Sequence, residues 1–377
     1  MKQSKDLIHF FDFPTVPRIK LAAKLIEVIP GDFEKKVQFS VTGSDAVENA
    51  IHAARWYTGC SYILAAIGAY HGVQMGSVGI TSKGGIASYY YPVPPNNNGI
   101  ILFPYAYCYR CPFGKNYPNC DIYCVTFIEN TLLKGKESPL VDQKAGVSNI
   151  AGLIIEPMQC SSGYIMPPDD YLRGLKRLAD QYNFLFIADE IQTGVGRTGK
   201  LWAVEHYGVE PEIMVIGKGI GGGLPISAIV TKKEILNNWA PTAHISTFAG
   251  YTLGCSVALK IFEFIESKDI LKNSNNIGEY FYNGLLELQD RHEIIGDVTG
   301  GKGLFLALEL VKDRKSKEPA SEEAFYVRNK ALEYGLIFAV SGYYYNRITL
   351  IPAITIRKES VDNALKILDR LFNEIKK

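Results

Sequence analysis

Lys218 follows the apolar run Ile213–Ile216 and Gly217, and it precedes the glycines Gly219, Gly221, Gly222 and Gly223. A lysine lodged between an apolar strand and a glycine run is partly desolvated, which frees its amine as a nucleophile. The glycines let a flat ligand approach the backbone closely. Two carboxylates end similar apolar runs, Glu156 after Ala151–Ile155 and Asp189 after Phe184–Ala188. Ligands of open α/β sheets bind at the carboxyl ends of strands, so the spacing predicts that these three groups gather there. Thr42-Gly43-Ser44 leads directly into a helical pattern, whose N-terminal N–H groups and dipole suit a phosphate. A nucleophilic lysine, an aspartate to hold a protonated heterocyclic nitrogen and a phosphate cradle are together what pyridoxal phosphate requires. Singly, each has a plainer meaning: Lys218 as a surface lysine, Asp189-Glu190 as a solvated strand end, Ser44 as an N-cap, Tyr70-His71-Gly72 as a loop. Their joint placement at strand ends is what points to chemistry.

Two further patterns compete. Gly194-Val195-Gly196-Arg197-Thr198-Gly199-Lys200 satisfies G-x-G-x-x-G and most of a phosphate-loop pattern. A nucleotide site needs that turn to open a helix directly after a strand. Here Asp189 and Glu190 put two negative charges beside the supposed cradle, and Leu201 lacks the hydroxyl that would hold magnesium, so a nucleotide role is set aside. Cys108, Cys111, Cys120 and Cys124, four of seven cysteines, form C-x2-C-x8-C-x3-C. Zinc held by four thiolates, two local disulfides and four reduced thiols all remain open, and no metal is assigned.

The elements that must position these groups follow from periodicity. Short, wholly apolar strands are predicted at Val37–Val41, Tyr62–Ile67, Ala151–Ile155, Phe184–Ala188, Ile213–Ile216 and Ile226–Val230. They alternate with helices at Asp45–Tyr57 and Tyr171–Tyr182. That alternation predicts an α/β fold, a mostly parallel central sheet flanked by helices. Beyond residue 265 a smaller α+β domain is expected. It comprises a helix over Ile277–Leu288, strands at Leu304–Leu310 and Arg347–Ile351, and a final helix through Val361–Ile375 with Ser360 as its N-cap. The predicted division is an N-terminal segment 1–35, a large cofactor-binding domain 36–265 and a small C-terminal domain 266–377. Pro94-Pro95-Asn96-Asn97-Asn98-Gly99 reads as a loop.

Composition sets the outer limits. With 377 residues, about two domains are expected. Lys plus Arg is 40 and Asp plus Glu is 39, a net charge of +1, so charge gives no reason to expect nucleic acid or an anionic membrane as partner. At 47% apolar and 21% charged residues the chain is ordinarily globular. No apolar run approaches the roughly 18 residues of a membrane span, and Asp6 and Asp12 interrupt any signal-peptide core. An odd cysteine number in a long chain does not suit a secreted disulfide framework, and a cytoplasmic location is expected.

The runs Asp189-Glu190-Ile191-Gln192-Thr193-Gly194-Val195-Gly196-Arg197-Thr198-Gly199 and Gly217-Lys218-Gly219 resemble the signature of class III pyridoxal-phosphate aminotransferases. So do Thr42-Gly43-Ser44-Asp45-Ala46, Tyr70-His71-Gly72, Glu156-Pro157-Met158-Gln159 and Ser246-Thr247-Phe248-Ala249-Gly250. The resemblance spans nearly the whole chain in order and is nearest the 4-aminobutyrate and alanine–glyoxylate type, with the fold of type I pyridoxal-phosphate enzymes. It implies that Lys218 holds the cofactor as a Schiff base and shuttles a proton, while Asp189 keeps the pyridine nitrogen protonated. Gln192 would bond the ring's phenolic oxygen, Tyr70 would stack on one ring face and Ile191 would pack on the other. Gly43 and Ser44 would bind phosphate, with Thr247 supplied by the partner subunit of a homodimer. Glu156 would lie near the substrate or ring edge, and His71 belongs to the same cofactor-binding set.

Two departures from the family stand out. Its opening segment of several dozen residues has no counterpart here, so a shortened N-terminal region is expected. Its arginine before the last-strand proline, which clamps substrate carboxylate, is matched by Thr349, and Arg347 two residues earlier is expected to substitute. The implied activity is transfer of an amino group from an amino acid or ω-amino acid to a 2-oxo acid. The alternatives are a racemase or epimerase on the same scaffold, and a non-catalytic relic with a binding or dimerisation role.

Overall fold

The computed structural model describes residues 13–83, 99–135, 138, 140–142, 144–145, 147–240 and 243–375. The expected loop at 94–98 lies outside them. The chain forms two compact units. The first comprises the chain up to Pro157 together with Pro167–Val195 and Trp202–Phe264. The second comprises Met158–Met166, Gly196–Leu201 and Ile265 onward. Among the described residues, no helix is long and apolar enough to cross a membrane.

In the first unit, strands β1 (Lys35–Ser40), β2 (Tyr62–Ala66) and β3 (Ile100–Phe103) are followed by a two-residue ribbon, β4 (Val141–Asp142) against β5 (Val147–Ser148). Then come β6 (Ile150–Ile155), β7 (Leu185–Asp189), β8 (Ile213–Ile216) and β9 (Ser227–Lys232). Seven described strands make one sheet in the order β1-β9-β8-β7-β6-β2-β3. The run β3-β2-β6-β7-β8 is parallel throughout, and β9 is antiparallel to both its neighbours. The α/β reading of the sequence is therefore correct. Strands β6, β7 and β8 are buried at every position, which is why they read as unbroken apolar runs rather than alternating ones.

Helix α1 (Val16–Val28) was not anticipated from the sequence; Pro17 in its first turn and the buried Leu21 and Leu25, four residues apart, are its signals. Helix α2 (Gly43–Thr58) starts two residues before the sequence suggests. Its N-cap is Thr42, not Ser44, and the Thr42 side chain accepts from the Asp45 N–H. Ala46, Val47, Ala50, Ile51, Ala53 and Ala54 form its buried stripe and pack on Ile63, Ile154, Ile187, Val215 and Ile229 of the sheet. Four alanines in that stripe let the helix lie close to the strand ends.

In the second unit, β10 (Ile295–Thr299), β11 (Leu306–Leu310), β12 (Ala339–Ser341) and β13 (Arg347–Leu350) form an antiparallel sheet in the order β10-β11-β13-β12. Leu306, Leu308, Leu310, Ile348 and Leu350 pack with Leu285, Leu288, Val361, Leu368 and Leu371 from the helices Ile270–Arg291 and Lys358–Ile375. The first of these helices begins seven residues before the predicted Ile277. The final helix begins at Lys358, so Ser360 is its third residue and not its N-cap. The run Gly196–Leu201 opens no helix. Asn275 Nδ2 donates to the Gly199 carbonyl at 2.8 Å and Leu304 N–H to the Arg197 carbonyl at 3.0 Å, so the turn is packed from within its own unit.

Candidate active site

Parallel pairing brings three strand ends together. Ile155 of β6 stands opposite Ala188 of β7, and Asp189 of β7 opposite Val215 of β8. Glu156, Asp189 and Lys218 therefore leave the same carboxyl edge of the sheet from adjacent strands. Asp189 is the last residue of its strand rather than the residue after it, and it is only 4% exposed. One carboxylate oxygen accepts from the Ile191 N–H at 3.0 Å. The other lies 2.7 Å from Nδ1 of the buried His71, whose Nε2 has no hydrogen-bond partner. This geometry places His71 behind the aspartate, 118 residues away in sequence and invisible to any local pattern.

Lys218 follows β8 and Gly217 with φ +44°, a left-handed conformation that costs a non-glycine residue about 1 kcal/mol or more. The expectation of a desolvated amine is corrected. Lys218 is exposed because the glycines around it have no side chains to cover it, and its ammonium donates to Oε1 of Gln192. Ile191 forms part of the floor: a Cβ on Gly43 would stand 3.0 Å from it and one on Gly217 3.4 Å.

Glu156 is buried and accepts the Tyr70 N–H at 3.0 Å, so it fixes the backbone that carries the Tyr70 ring. Near it stands Lys83, which no local pattern singles out. Burial pushes the Lys83 amine down to about 8, against the opposing pull of the Glu156 charge. At the start of α2, Ser227 Oγ donates to the Thr42 carbonyl at 2.7 Å and fixes the cap to β9. Gly72 has φ +113°, and a Cβ there would lie 2.3 Å from Ser44 Oγ. Only glycine allows the Tyr70-His71-Gly72 backbone to close on the helix N-terminus. Thr247 is exposed on its loop.

Glu190 was read only as a neighbouring charge, yet it is a structural group. It is 1% exposed, accepts the Val204 N–H at 2.8 Å and takes the Thr193 hydroxyl proton; burial pushes its carboxyl up to about 7. The folded state thus holds this proton between an unfolded value near 4.5 and about 7. The stability it confers is present below the lower value and lost as pH rises through that window. Glu190→Gln is expected to remove a loss of about 3 kcal/mol between pH 4.5 and 7. Urea unfolding at several pH values checks this, and parallel pH profiles for wild type and variant would contradict it.

The carboxylate clamp expected of Arg347 is overturned. Arg347 is 1% exposed, and Glu309, its cross-strand partner on β11, takes Nη1. Asp297 lies 3.3 Å from the same nitrogen, Nε donates to the Gly163 carbonyl at 2.6 Å, and Nη2 donates to Thr299 Oγ1 and the Tyr164 carbonyl. Every donor of the guanidinium is engaged within its own unit. Thr349 is also buried and donates to the Ala339 carbonyl at 3.2 Å. Arg347→Ala takes the guanidinium away from the buried Glu309 and the part-exposed Asp297 and is expected to cost about 3–5 kcal/mol in denaturant unfolding. A raised KM for oxo acids at unchanged stability would restore the clamp.

Among the described residues no disulfide joins the seven cysteines, and Cys108, Cys111, Cys120 and Cys124 line one small cavity with Tyr105 and Phe113. Burial, with the neighbouring Cys108 and Cys120, pushes the Cys124 thiol up to about 12. Among the described residues, no group of three or more His, Cys, Asp or Glu is arranged to hold a metal ion.

The family profile described as Aminotransferase class-III matches residues 1–372. The chain belongs to the class III aminotransferases. It is 38% identical over 378 residues to the leucine/methionine racemase of Thermococcus litoralis, covering 99% of this chain and 81% of that one. It is 36% identical over 359 residues to the 5-aminovalerate aminotransferase of Pseudomonas aeruginosa, covering 95% and 80%. An amine transaminase from an uncultivated Pseudomonas species, solved in its PLP-bound form, superposes with a TM-score of 0.87 at 28% identity, over 99% of this chain and 85% of that one. As a class III aminotransferase this chain is an enzyme, and its cofactor is pyridoxal phosphate. The residues fit that group. Gly72 lets its backbone close on Ser44 and Gly43 lets the start of α2 close on Ile191, where a Cβ at either would collide, and the buried Asp189 carboxylate stands at the end of β7.

Proposed function

We propose that this enzyme transfers an amino group from an amino acid or ω-amino acid to a 2-oxo acid, with Lys218 and Asp189 as its catalytic residues. The observation that carries the reading is the pair of adjacent parallel strand ends, one bearing the buried Asp189–His71 contact and the next the exposed Lys218. Bound pyridoxal phosphate supplies the electron sink that stabilises a carbanion at the substrate Cα. Asp189, held by His71 and the Ile191 N–H, keeps a carboxylate aimed at a protonated ring nitrogen. Gln192 would bond the phenolic oxygen, Tyr70 and Ile191 would confine the ring faces, and the first-turn N–H groups of Gly43 and Ser44 would take the phosphate. Glu156 holds Tyr70 in place. The Lys218 amine would take the proton from the substrate Cα and deliver it to the cofactor carbon C4′. With Arg347 and Thr349 both engaged elsewhere, donors that do not depend on that clamp are favoured, 5-aminovalerate-like ω-amino acids among them.

A second reading is racemisation or epimerisation, favoured by the similarity to the leucine/methionine racemase. It requires only that the proton return to Cα from the opposite face. Amine transfer to 2-oxoglutarate measured beside loss of optical rotation of L-leucine separates the two. Oxo-acid-dependent transfer is expected, and rotation loss without transfer would establish the second. A colourless protein that cannot be reconstituted would leave only the relic.

We also propose a cytoplasmic homodimer in which Thr247 reaches the partner's phosphate. Exposed Ile245 and Phe248 flank Thr247, as an interface would require. An odd cysteine count in a chain of 377 residues suits a reducing compartment.

A further inference from the structure

The Thr247 loop is attached to the phosphate-cradle helix by groups that the chemistry above does not use. Asp45, in the first turn of α2, turns its carboxylate back from the helix start: Oδ2 accepts the Val41 N–H at 3.0 Å, and Oδ1 lies 3.5 Å from Nε2 of His244. The neighbouring His244 holds the Asp45 carboxyl below the usual carboxylate range. The His244 ring also stacks on Trp239, with 6.0 Å between centroids and 23° between planes. Trp239 in turn lies 5.3 Å from His52, two turns further along α2. Trp56 Nε1, in the last turns of α2, donates to the Asn238 carbonyl at 2.7 Å. His244, Trp239 and Asn238 thus meet α2 at its first turn, its middle and its end. Thr247 follows His244 by three residues, which confines its Cα to about 11 Å from that of His244.

We propose that Asp45 and His244 form a latch that positions the Thr247 loop, and that through this loop they govern how long the enzyme retains the cofactor's phosphate. The pair acts as positioning residues and touches no reacting atom. An Asp45 carboxylate aimed at the helix start would also repel the dianion that Gly43 and Ser44 receive, and its contacts with the Val41 N–H and the His244 ring turn it away. The inference rests on the phosphate role proposed for Thr247.

The test measures dissociation of pyridoxal phosphate from the holoenzyme by absorbance after dilution. Binding of inorganic phosphate to the cofactor-free protein and its melting temperature complete the set. Thr247→Ala and His244→Ala are each expected to speed release about tenfold and to weaken phosphate binding similarly. The double variant is expected to match Thr247→Ala alone, because both changes act through one loop. His244→Gln, which keeps a donor toward Asp45, is expected to fall between His244→Ala and wild type. If Thr247→Ala releases cofactor at the wild-type rate, the phosphate role of Thr247 fails and takes the latch with it. If Thr247→Ala is fast but His244→Ala is not, or if the two effects multiply in the double variant, the latch alone is overturned. A lower melting temperature in His244→Ala with unchanged release makes His244 merely structural and likewise overturns it.

Discussion

Lys218→Ala is expected to lose both covalent cofactor attachment and turnover, the latter by at least about four orders of magnitude. The amine is exposed and its one hydrogen bond within the site is to Gln192, so truncation removes chemistry without opening a cavity. Stability should therefore stay close to wild type. Borohydride reduction followed by mass measurement separates the effects: wild type should gain the mass of the cofactor permanently, and the variant should not. Added small primary amines should restore part of the proton transfer, since the carbanion-stabilising groups remain. Amine transfer near the wild-type rate would overturn the assignment of Lys218.

Asp189→Asn is expected to reduce kcat/KM by about three orders of magnitude or more while the cofactor still binds. The amide oxygen can still accept the Ile191 N–H, while the amide NH2 replaces the oxygen facing His71 Nδ1 and can donate to it in the other imidazole tautomer, so the side chain keeps its place. What is lost is the negative charge that holds a proton on the ring nitrogen, an interaction strengthened by burial. Cofactor retention by absorbance and kcat/KM for amine transfer should then part company. A rate within about tenfold of wild type, or about 1.4 kcal/mol in the barrier, would contradict the role.

The local sequence determined the elements and the chemistry-bearing ends of the strands. Wholly apolar runs at Ala151–Ile155, Phe184–Ala188 and Ile213–Ile216 marked buried parallel strands, because strands covered on both faces carry no polar alternation. A charged residue stood one or two positions beyond each run, Glu156, Asp189 and Lys218, and Thr42-Gly43-Ser44 marked the helix start in the same way. These signals are local and survive without knowledge of neighbours. Only the tertiary structure decided what each side chain meets. Arg347 and Thr349 share a strand face, as the two-residue period requires, but antiparallel register set Glu309 directly opposite Arg347 and drew the guanidinium into the second unit's core. His71 behind Asp189, Lys83 beside Glu156 and His244 against Asp45 are separated by tens to hundreds of residues, beyond the reach of any periodicity. Lys218 shows the same division: its place after β8 was legible in the chain, but its exposure depended on what the surrounding glycines leave uncovered. Burial and partnership are properties of the packed neighbours, and those were fixed when the strands paired.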